Sequence, residues 1–424
     1  MHFLYSALFT LLLPFILLRM LWRSRNAPAY RQRLGERLGL FRLPVDGRDT
    51  VWIHAVSLGE TLAARPLIER LLEDYPRYRL LVTTTTPTGS EQVRRLFGDR
   101  VAHVYAPWDT PGSVKRFMRE AQPRLLILME TELWPNMLKQ AALRGCNVLL
   151  FNARLSARSA AGYARFPNTT RRMLRCIDWI AAQSTADADH FLQLGMDPGH
   201  MAVSGSIKFD VELSSALRDE ALGLRKQWSL GARDVVIFSS THLGEDELAL
   251  VMLRRLKERR PDLLLILVPR HPERFETVHR LLLTDGWQVA RRSSKDAVEY
   301  DTDILLVDTL GELLMLCGVA DIAVIGGSFL EHGGHNPLEA AVWGRPILCG
   351  PSMFNFADVT ERLVAADALE QVEDAQQLAS SIHRLLDEPA TYKKRAKAAE
   401  GVVLRNRGAL DNAFAAVRRL LGDA

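Results

Sequence analysis

Residues 325–341 read Ile325-Gly-Gly-Ser-Phe-Leu-Glu-His-Gly-Gly-His-Asn-Pro-Leu-Glu-Ala-Ala341. The apolar run that ends at Ile325 predicts a buried strand, and the glycines after it predict a loop whose backbone can approach a ligand closely. Asn336 is a favoured helix N-cap, Pro337 suits the first helical position and Glu339 falls three residues after the cap. The stretch therefore predicts a strand, a binding loop and a helix in succession, in which Glu339 could equally serve only to cap the helix.

The chain has 424 residues, of which 48% are hydrophobic and 25% are charged. These proportions are those of globular proteins, and the length favours two or more domains. The formal net charge of +4 is small for this length, so the composition gives no reason to expect a nucleic-acid ligand. The cysteines form no Cys-x-x-Cys pair, which suits a reducing compartment.

The N-terminus differs in kind from the rest of the chain. Residues 3–22 form an apolar run of about membrane-spanning length, and arginines dominate the residues that follow it. Because positive charges flank the cytoplasmic side of membrane segments, we expect residues 1–22 to be a single membrane anchor with the remaining domains in the cytoplasm. A cleaved signal peptide would carry its positive charge before the apolar run instead. The polar Ser6 and Thr10, together with Pro14, leave open a helix that lies in the interface.

After residue 44, short apolar β-rich runs alternate with helical patterns, which is typical of parallel α/β sheets. The expected strands cover residues 51–56, 79–84, 125–129, 147–152, 179–183 and 201–204, and then residues 235–239, 263–268, 288–290, 304–307, 321–325 and 346–348. Helices are expected to close the chain over residues 375–386 and 391–421. The fold class predicted is α/β, with two Rossmann-like, doubly wound domains.

The expected domain limits follow from this alternation. An N-terminal Rossmann-like domain covers residues 23–209, a polar helical connector covers residues 210–231, and a C-terminal domain with its closing helices covers residues 232–424. Two such domains imply a cleft between the carboxyl ends of their strands, where ligands of doubly wound sheets bind.

A Leu-Gly-Glu tripeptide recurs just after predicted strands, at residues 58–60, 243–245 and 310–312. Glycine makes a strand-to-helix turn, and a glutamate in the first helical turn is favoured by the helix dipole. Each of the glutamates Glu60, Glu245 and Glu312 is therefore weak evidence for catalysis when taken alone.

Charged residues also cluster after other strands. Two acids, Glu130 and Glu132, would share one face if their strand continued beyond Met129. Cations follow several strands, at Arg154, Arg158, Lys208 and Arg270. Each could be an ordinary exposed loop charge, but together they predict a site that attracts an anion.

Several familiar sites are absent from the sequence. It contains no Gly-x-x-x-x-Gly-Lys-Ser/Thr, and no Gly-x-Gly-x-x-Gly follows the first strand of either domain, which argues against a P-loop nucleotidase and an NAD dehydrogenase. The acid pairs Asp187/Asp189 and Asp301/Asp303 are interpreted as helix-start and surface acids. We therefore expect no bound metal.

Together these motifs resemble the Kdo (3-deoxy-D-manno-octulosonic acid) transferases, membrane-associated enzymes of lipopolysaccharide assembly with the two-domain GT-B fold. The resemblance covers nearly the whole chain. Besides the N-terminal anchor and the glycine loop, it includes Ser57-Leu-Gly-Glu60, Met129-Glu-Thr-Glu-Leu-Trp-Pro-Asn136, Phe151-Asn-Ala-Arg-Leu-Ser-Ala-Arg158, Ser206-Ile-Lys-Phe-Asp210 and Pro269-Arg-His-Pro-Glu-Arg274.

The resemblance implies an inverting transfer of Kdo from CMP-Kdo to a phosphorylated lipid A precursor, lipid IVA, without a metal cofactor. Glu60 matches the general base of the family, and Glu130 and Lys208 match groups that stabilise the transition state. The donor CMP-Kdo is expected to bind at Pro269, Arg270, Leu310, Gly311, Glu312, Asn336, Pro337, Leu338 and Glu339.

Two other functions stay open at this stage. One is another membrane-associated nucleotide-sugar enzyme of the same fold, such as a different transferase or an epimerase. The other is a binding protein for anionic ligands that performs no reaction. An epimerase needs no membrane anchor, so residues 1–22 argue against that alternative.

Overall fold

The computed structural model describes residues 2–25 and 28–422, and its chain forms two compact units. Unit 1 contains the described residues up to Asp210 and from Arg407 onward, and unit 2 is Val211–Asn406. Each unit is built around its own parallel sheet.

The sheet of unit 1 has the strand order β3-β2-β1-β4-β5-β6-β7, and each pair of neighbouring strands is parallel. This order places a topological switch point between β1 and β4, because the chain winds outward from β1 in one direction and from β4 in the other. The strands are β1 Thr50–His54, β2 Arg79–Thr84, β3 Ala102–Tyr105, β4 Pro123–Met129, β5 Asn147–Ala153, β6 Trp179–Ala182 and β7 Met201–Val203.

Helices cover both faces of this sheet, so its central strands are apolar on both sides. Trp52 and Leu126 pack into the core on one face, whereas Val51 and Ile53 pack into the core on the other. The helices are α1 His2–Arg23, α2 Leu34–Arg37, α3 Leu58–Asp74, α4 Pro87–Phe97, α5 Pro111–Ala121, α6 Pro135–Leu143, α7 Ala157–Ala164, α8 Pro167–Leu174 and α9 Thr185–Gln193, with α18 Ala409–Leu421 from the end of the chain.

The sheet of unit 2 has the order β10-β11-β9-β8-β12-β13-β14, with its switch point between β8 and β12. Its strands are β8 Val235–Thr241, β9 Leu264–Pro269, β10 Val289–Arg291, β11 Ile304–Leu306, β12 Ile322–Ile325, β13 Ile347–Cys349 and β14 Leu369–Gln371. Its helices are α10 Ser215–Gln227, α11 Glu245–Lys257, α12 Phe275–Thr284, α13 Leu313–Val319, α14 Leu338–Ala341, α15 Ala357–Ala365, α16 Ala375–Asp387 and α17 Pro389–Asn406.

The two doubly wound parallel sheets confirm the predicted fold class, and every expected strand exists. Two strands at or near the sheet edges, β3 and β14, escaped prediction. The helix expected over residues 391–421 is divided into α17 and α18, because Gly408 adopts a φ of 92° between them.

The expected domain limits need correction at both ends of unit 2. Helix α10 falls inside the expected connector 210–231, but it packs against α13 and belongs to unit 2. Helix α18 belongs to unit 1 instead of to the expected C-terminal domain 232–424, because Phe414 and Val417 are buried in the core of unit 1. Asp210 bonds to the start of α18, since its carboxylate accepts the backbone N–H groups of Gly408 and Leu410.

Candidate functional site

Glu60 lies at the start of α3, directly after β1 at the switch point of unit 1. Ser57 is the N-cap of this helix, and its hydroxyl oxygen accepts the backbone N–H of Glu60 at 3.2 Å. In return the Glu60 carboxylate accepts the Ser57 hydroxyl at 2.9 Å and the backbone N–H of Val56 at 2.8 Å. This arrangement is a variant of the capping box, and it holds the carboxylate at the carboxyl edge of the sheet.

The surroundings of Glu60 change its proton affinity. Only 8% of the residue is exposed, and burial raises the pKa of its carboxyl to about 7, with a smaller contribution from the negative charges of Glu130 and Glu132. The hydrogen bonds from Val56 and Ser57 oppose this rise. A carboxylate with such a pKa can accept a proton near neutral pH.

Glu130 and Glu132 follow β4 on the other side of the same switch point. The strand ends at Met129, and Glu130 has a φ of 55°, so the expectation that the two acids share one face of a continued strand is wrong. The Glu132 carboxylate accepts the Trp134 indole N–H at 2.7 Å. The Trp134 ring in turn packs edge-on against the buried His54, with ring centroids 4.7 Å apart.

Lys208 lies on the segment that follows β7. The backbone N–H of Ile207 donates to the Asn152 side chain at 3.2 Å, and Ile207 is buried in the core of unit 1. Lys208 is thereby fixed near the carboxyl end of β5. The cations expected at Arg154 and Arg158 follow the same strand and are exposed.

Helix α1 is attached to unit 1 near its beginning. The Ser6 hydroxyl donates to the Asn136 side-chain oxygen at 3.0 Å, and Asn136 is 2% exposed and bonded to Asp109. Beside this contact lies a groove of about 710 Å³, whose lining includes Phe3, Lys139, Arg172 and Met173. The groove combines apolar walls with two cations.

In unit 2 the glycine loop follows β12 at the switch point, as the sequence predicts. A side chain at Gly326 would lie 2.5 Å from the carbonyl oxygens of Ser239 and Ser240, and Gly327 has a φ of 67°. The fully buried Glu245 carboxylate accepts the backbone N–H groups of Gly327 at 2.7 Å and of Ser328 and Phe329 at 3.1 Å. It also accepts the N–H of His242 at 2.9 Å.

This contact corrects, for residues 327–329, the expectation that the loop backbone approaches a ligand closely. The amides of Gly327, Ser328 and Phe329 already hold an anion, which is the protein's own Glu245 carboxylate. The helix after the loop, α14, has four residues, and its N-cap is Pro337 instead of the expected Asn336. The Asn336 side chain still accepts the Leu338 N–H at 3.1 Å.

Glu339 lies in this short helix and is partly buried. Burial raises the pKa of its carboxyl to about 7, while hydrogen bonding with the Asn336 side chain and the charge of Arg270 lower it. One of its carboxylate oxygens, Oε2, is buried without a hydrogen-bond partner. Since buried polar atoms are normally satisfied, this oxygen indicates the position of a missing donor.

Histidines gather next to Arg270, and the sequence analysis assigned a role to none of them. His242 donates to or accepts from His335 with the two Nε2 atoms 2.9 Å apart, and its ring stacks on His332 at 4.2 Å. Burial and the neighbouring cations lower the pKa of His335 to about 3 and that of His242 to about 4. The sequence signal was the position of His242, just before the second Leu-Gly-Glu.

The third Leu-Gly-Glu has a different environment. The Glu312 carboxylate accepts the Arg292 guanidinium at 2.6 Å and also the Thr309 hydroxyl. Burial alone would raise the pKa of Glu312, but these hydrogen bonds outweigh it and lower the pKa. Leu310 is exposed and Gly311 has a φ of 89°, so the segment presents a turn next to a pocket of about 260 Å³ lined by Thr309 and Glu312.

Comparison with known proteins decides which family the sequence belongs to. The family described as 3-deoxy-D-manno-octulosonic-acid transferase (kdotransferase) matches residues 32–211. The 3-deoxy-D-manno-octulosonic acid transferase of Haemophilus influenzae is 40% identical over 411 residues, covering 96% of each chain. That of Bordetella pertussis is 36% identical over 430 residues, covering 97% of each chain.

The chain belongs to the Kdo transferase family. The resemblance inferred from the sequence motifs is therefore confirmed, and the protein is a glycosyltransferase. The matched positions within its site remain predictions.

Solved structures with this fold include members of other families. A UDP-N-acetylglucosamine 2-epimerase from Neisseria meningitidis, bound to UDP-GlcNAc, matches with a TM-score of 0.57 at 17% identity, covering 88% of this chain and 99% of that chain. A glycosyltransferase from Rickettsia africae matches with a TM-score of 0.53 at 13% identity, covering 89% of this chain and 100% of that chain. At these identities the likeness establishes the GT-B-like fold that the Kdo transferase shares with them.

Within residues 2–25 and 28–422 of this Kdo transferase, no group of three or more His, Cys, Asp or Glu side chains is arranged to hold a metal ion. The acid pairs noted in the sequence have structural partners. Asp187 accepts the backbone N–H of Leu155 at 2.7 Å, and Asp303 accepts that of Gln288 at 3.0 Å.

Proposed function

We propose that the protein transfers Kdo from CMP-Kdo to a hydroxyl group of a phosphorylated lipid A precursor, lipid IVA, in lipopolysaccharide assembly. Glu60 acts as the general base. The observation that carries this proposal is the buried Glu60 carboxylate, which has a pKa of about 7 and lies at the carboxyl edge of the sheet. Membership of the Kdo transferase family supplies the transferred sugar.

The reaction follows from this placement. Glu60 takes the proton of the acceptor hydroxyl while its oxygen forms a bond to the anomeric carbon of Kdo. The bond from that carbon to the phosphate oxygen of CMP breaks, and its electron pair leaves with the phosphate. A single displacement of this kind inverts the anomeric configuration. Glu130 and Lys208 stabilise the charge that develops in the transition state.

Unit 2 is suited to the donor nucleotide. The unsatisfied Oε2 of Glu339 can accept a hydrogen bond from a ribose hydroxyl, which would complete the hydrogen bonding of this buried oxygen. The exposed Arg270 lies close enough to Glu339 to influence its pKa, and a guanidinium binds phosphate and carboxylate oxygens well. Leu310, Gly311, Glu312, Pro269 and residues 336–338 complete the proposed donor site.

Unit 1 is suited to the lipid acceptor. The groove beside α1 has apolar walls for acyl chains, and Lys139 and Arg172 can bind the phosphate groups of the lipid. Because α1 itself contributes Phe3 and Ser6 to this groove, the proposed acceptor site adjoins the membrane-binding element.

Helix α1 is the proposed membrane anchor, and its contacts favour a helix that lies in the membrane interface. The segment Phe3–Arg23 is long and apolar enough to cross a bilayer. However, Ser6 bonds to the buried Asn136, and about 26 Å of helix separates Ser6 from Arg23. A spanning orientation would place Ser6, and Asn136 with it, on the far side of the membrane from the charged segment that follows Arg23.

The exposed face of α1 supports the same orientation. Apolar residues recur at helical spacing along it, and each is between 54% and 70% exposed: Leu4, Leu8, Leu11, Phe15, Leu18 and Trp22. Exposed arginines, including Arg19, Arg23 and Arg25, are positioned to meet anionic lipid head groups. We propose that the protein lies at the cytoplasmic face of the inner membrane.

The proposal requires no metal ion, since the charge on the leaving phosphate can be met by side-chain cations. Purified protein incubated with CMP-Kdo and a tetraacylated lipid A precursor should yield precursor that carries added Kdo, detected by mass spectrometry. EDTA should leave the rate unchanged. An unmodified precursor would refute the proposed donor and acceptor pair, and a rate lost in EDTA and restored by a divalent cation would refute metal independence.

A further inference from the structure

Glu245 has an unusual set of partners for a residue that no motif assigns to catalysis. Its carboxylate is fully buried and accepts backbone N–H groups from both sides of the switch point of unit 2. His242 lies on the segment after β8, whereas Gly327, Ser328 and Phe329 lie on the segment after β12. The carboxylate thus joins the beginning of α11 to the beginning of the glycine loop.

These bonds define the course of the loop. A succession of backbone N–H groups pointing at one anion forms an anion-binding concavity, and Glu245 fills it from within the protein. Further bonds extend the arrangement, because the Gly327 carbonyl accepts the Gly334 N–H at 2.7 Å and the Gly326 carbonyl accepts the His335 N–H at 3.2 Å. The conformation of residues 326–335 is therefore tied to the Glu245 carboxylate.

We infer that Glu245 is a positioning residue, which holds the glycine loop in the backbone conformation that the donor nucleotide requires. The inference rests on the proposed function, in which unit 2 binds CMP-Kdo next to this loop. Glu245 itself does not touch the donor, since its oxygens already accept hydrogen bonds from the backbone groups of the loop and of His242.

Hydrogen exchange of the wild-type protein tests the inference without any substitution. The amides of Gly327, Ser328 and Phe329 should exchange slowly in the absence of nucleotide, and CMP should slow them little further, because Glu245 already occupies them. If these amides exchange freely until CMP is added, the nucleotide and not Glu245 is their partner, and the inference is wrong. This outcome leaves the proposed function intact.

Substitution supplies the second test. In Glu245→Gln an amide NH₂ replaces one acceptor oxygen. We therefore expect the affinity for CMP to fall, and the KM for CMP-Kdo to rise, by about tenfold or more. The KM for the acceptor and the pH profile of kcat should stay unchanged. Glu247→Gln is the matched control, because Glu247 is exposed in the same helical turn.

Each outcome has a distinct meaning. A folded Glu245→Gln with wild-type CMP affinity would overturn the inference. Wild-type protein that binds no CMP would overturn the proposed function instead, while its exchange pattern would still report on Glu245. If Glu245→Gln does not fold, the exchange measurement on the wild type decides.

Discussion

Glu60 and Glu245 end the same Leu-Gly-Glu tripeptide after the first strand of their sheets, but their carboxylates are bonded differently. Glu245 accepts backbone N–H groups on both oxygens from His242 and the glycine loop. Glu60 accepts one backbone N–H and one hydroxyl, both from residues just before it. Glu60 therefore keeps acceptor capacity for a substrate proton, whereas Glu245 is committed to the fold.

The pH dependence of transfer should report the ionisation of Glu60. Because burial raises the pKa of this carboxyl to about 7, kcat should rise about tenfold per pH unit below pH 7 and become constant above it. Initial rates at saturating donor and acceptor, measured from pH 5 to 9, check this. A rate independent of pH across that window would contradict the assignment.

The same pKa predicts an effect on stability. The folded state holds a proton on Glu60 between about pH 4.5 and pH 7, where the unfolded chain has lost it, so stability falls as the pH rises through this window. Glu60→Gln removes this dependence, and its amide can still accept from Val56 and donate to Ser57. We expect this variant to be more stable than wild type at pH 8, by on the order of 3 kcal/mol, and similar to it at pH 4.

Urea unfolding at the two pH values measures this difference. Glu69→Gln is the control, since Glu69 lies in the same helix with a partly exposed side chain that pairs with Arg65. If Glu60→Gln changes the free energy of unfolding by the same amount at pH 4 and at pH 8, the pKa of Glu60 is not raised in the folded wild type.

Glu339 should discriminate ribose from deoxyribose. If its unsatisfied oxygen accepts a ribose hydroxyl, Glu339→Ala should weaken CMP binding by about tenfold to a hundredfold. Wild type should bind CMP more tightly than one of its two analogues, 2′-deoxy-CMP or 3′-deoxy-CMP, whichever lacks the hydroxyl that Glu339 accepts. Glu339→Ala should bind CMP and that analogue with nearly equal affinity. Calorimetric titration of wild type and Glu339→Ala with all three nucleotides measures these affinities. Full discrimination by Glu339→Ala would assign this carboxylate a capping role alone.

The cations of the two units should affect different steps. Arg270→Ala should weaken CMP binding by about tenfold or more, through loss of a charge-assisted hydrogen bond. Lys208→Ala should lower kcat with little effect on CMP affinity. Arg259→Ala serves as the control, because Arg259 is exposed and bonded to Asp387. Wild-type rates and CMP affinities in both variants would show that neither Arg270 nor Lys208 contributes to donor binding or transfer.

The orientation of α1 can be tested by labelling from outside the membrane. Phe3→Cys should resist a membrane-impermeant maleimide in intact spheroplasts and react after permeabilisation, because an interfacial helix keeps residue 3 on the cytoplasmic side. The unsubstituted chain, with its partly exposed Cys176, sets the background. Labelling of intact spheroplasts above that background would establish a spanning helix.

The sequence predicted the parts of this protein that depend on local patterning. The apolar runs of the central strands and the glycines after β12 specify their structures through residues close in the chain. The short strand Ala102–Tyr105 was missed because four residues with a central histidine carry little periodicity. Helix α18 packs on unit 1 because Phe414 is buried in the core of that unit. An amphipathic pattern does not specify which of two cores a helix packs against.

The motifs single out Glu60, Arg270 and Glu339 as candidate site residues, because the sequence signal for each lies within a few residues of it. Their roles stay predictions. The role of Glu245 could not be separated from that of Glu60, because it depends on amides that lie more than 80 residues away. His242 was missed because its partners, His332 and His335, lie in the glycine loop.

The most direct test of the account compares wild type with Glu60→Gln in the presence of CMP-Kdo and a tetraacylated lipid A precursor, with products read by mass spectrometry and CMP affinity by calorimetry. Wild type should convert the precursor to a Kdo-bearing product. Glu60→Gln should bind CMP with wild-type affinity but transfer Kdo about 10²- to 10⁴-fold more slowly. A Glu60→Gln protein that transfers Kdo at the wild-type rate would contradict the central claim.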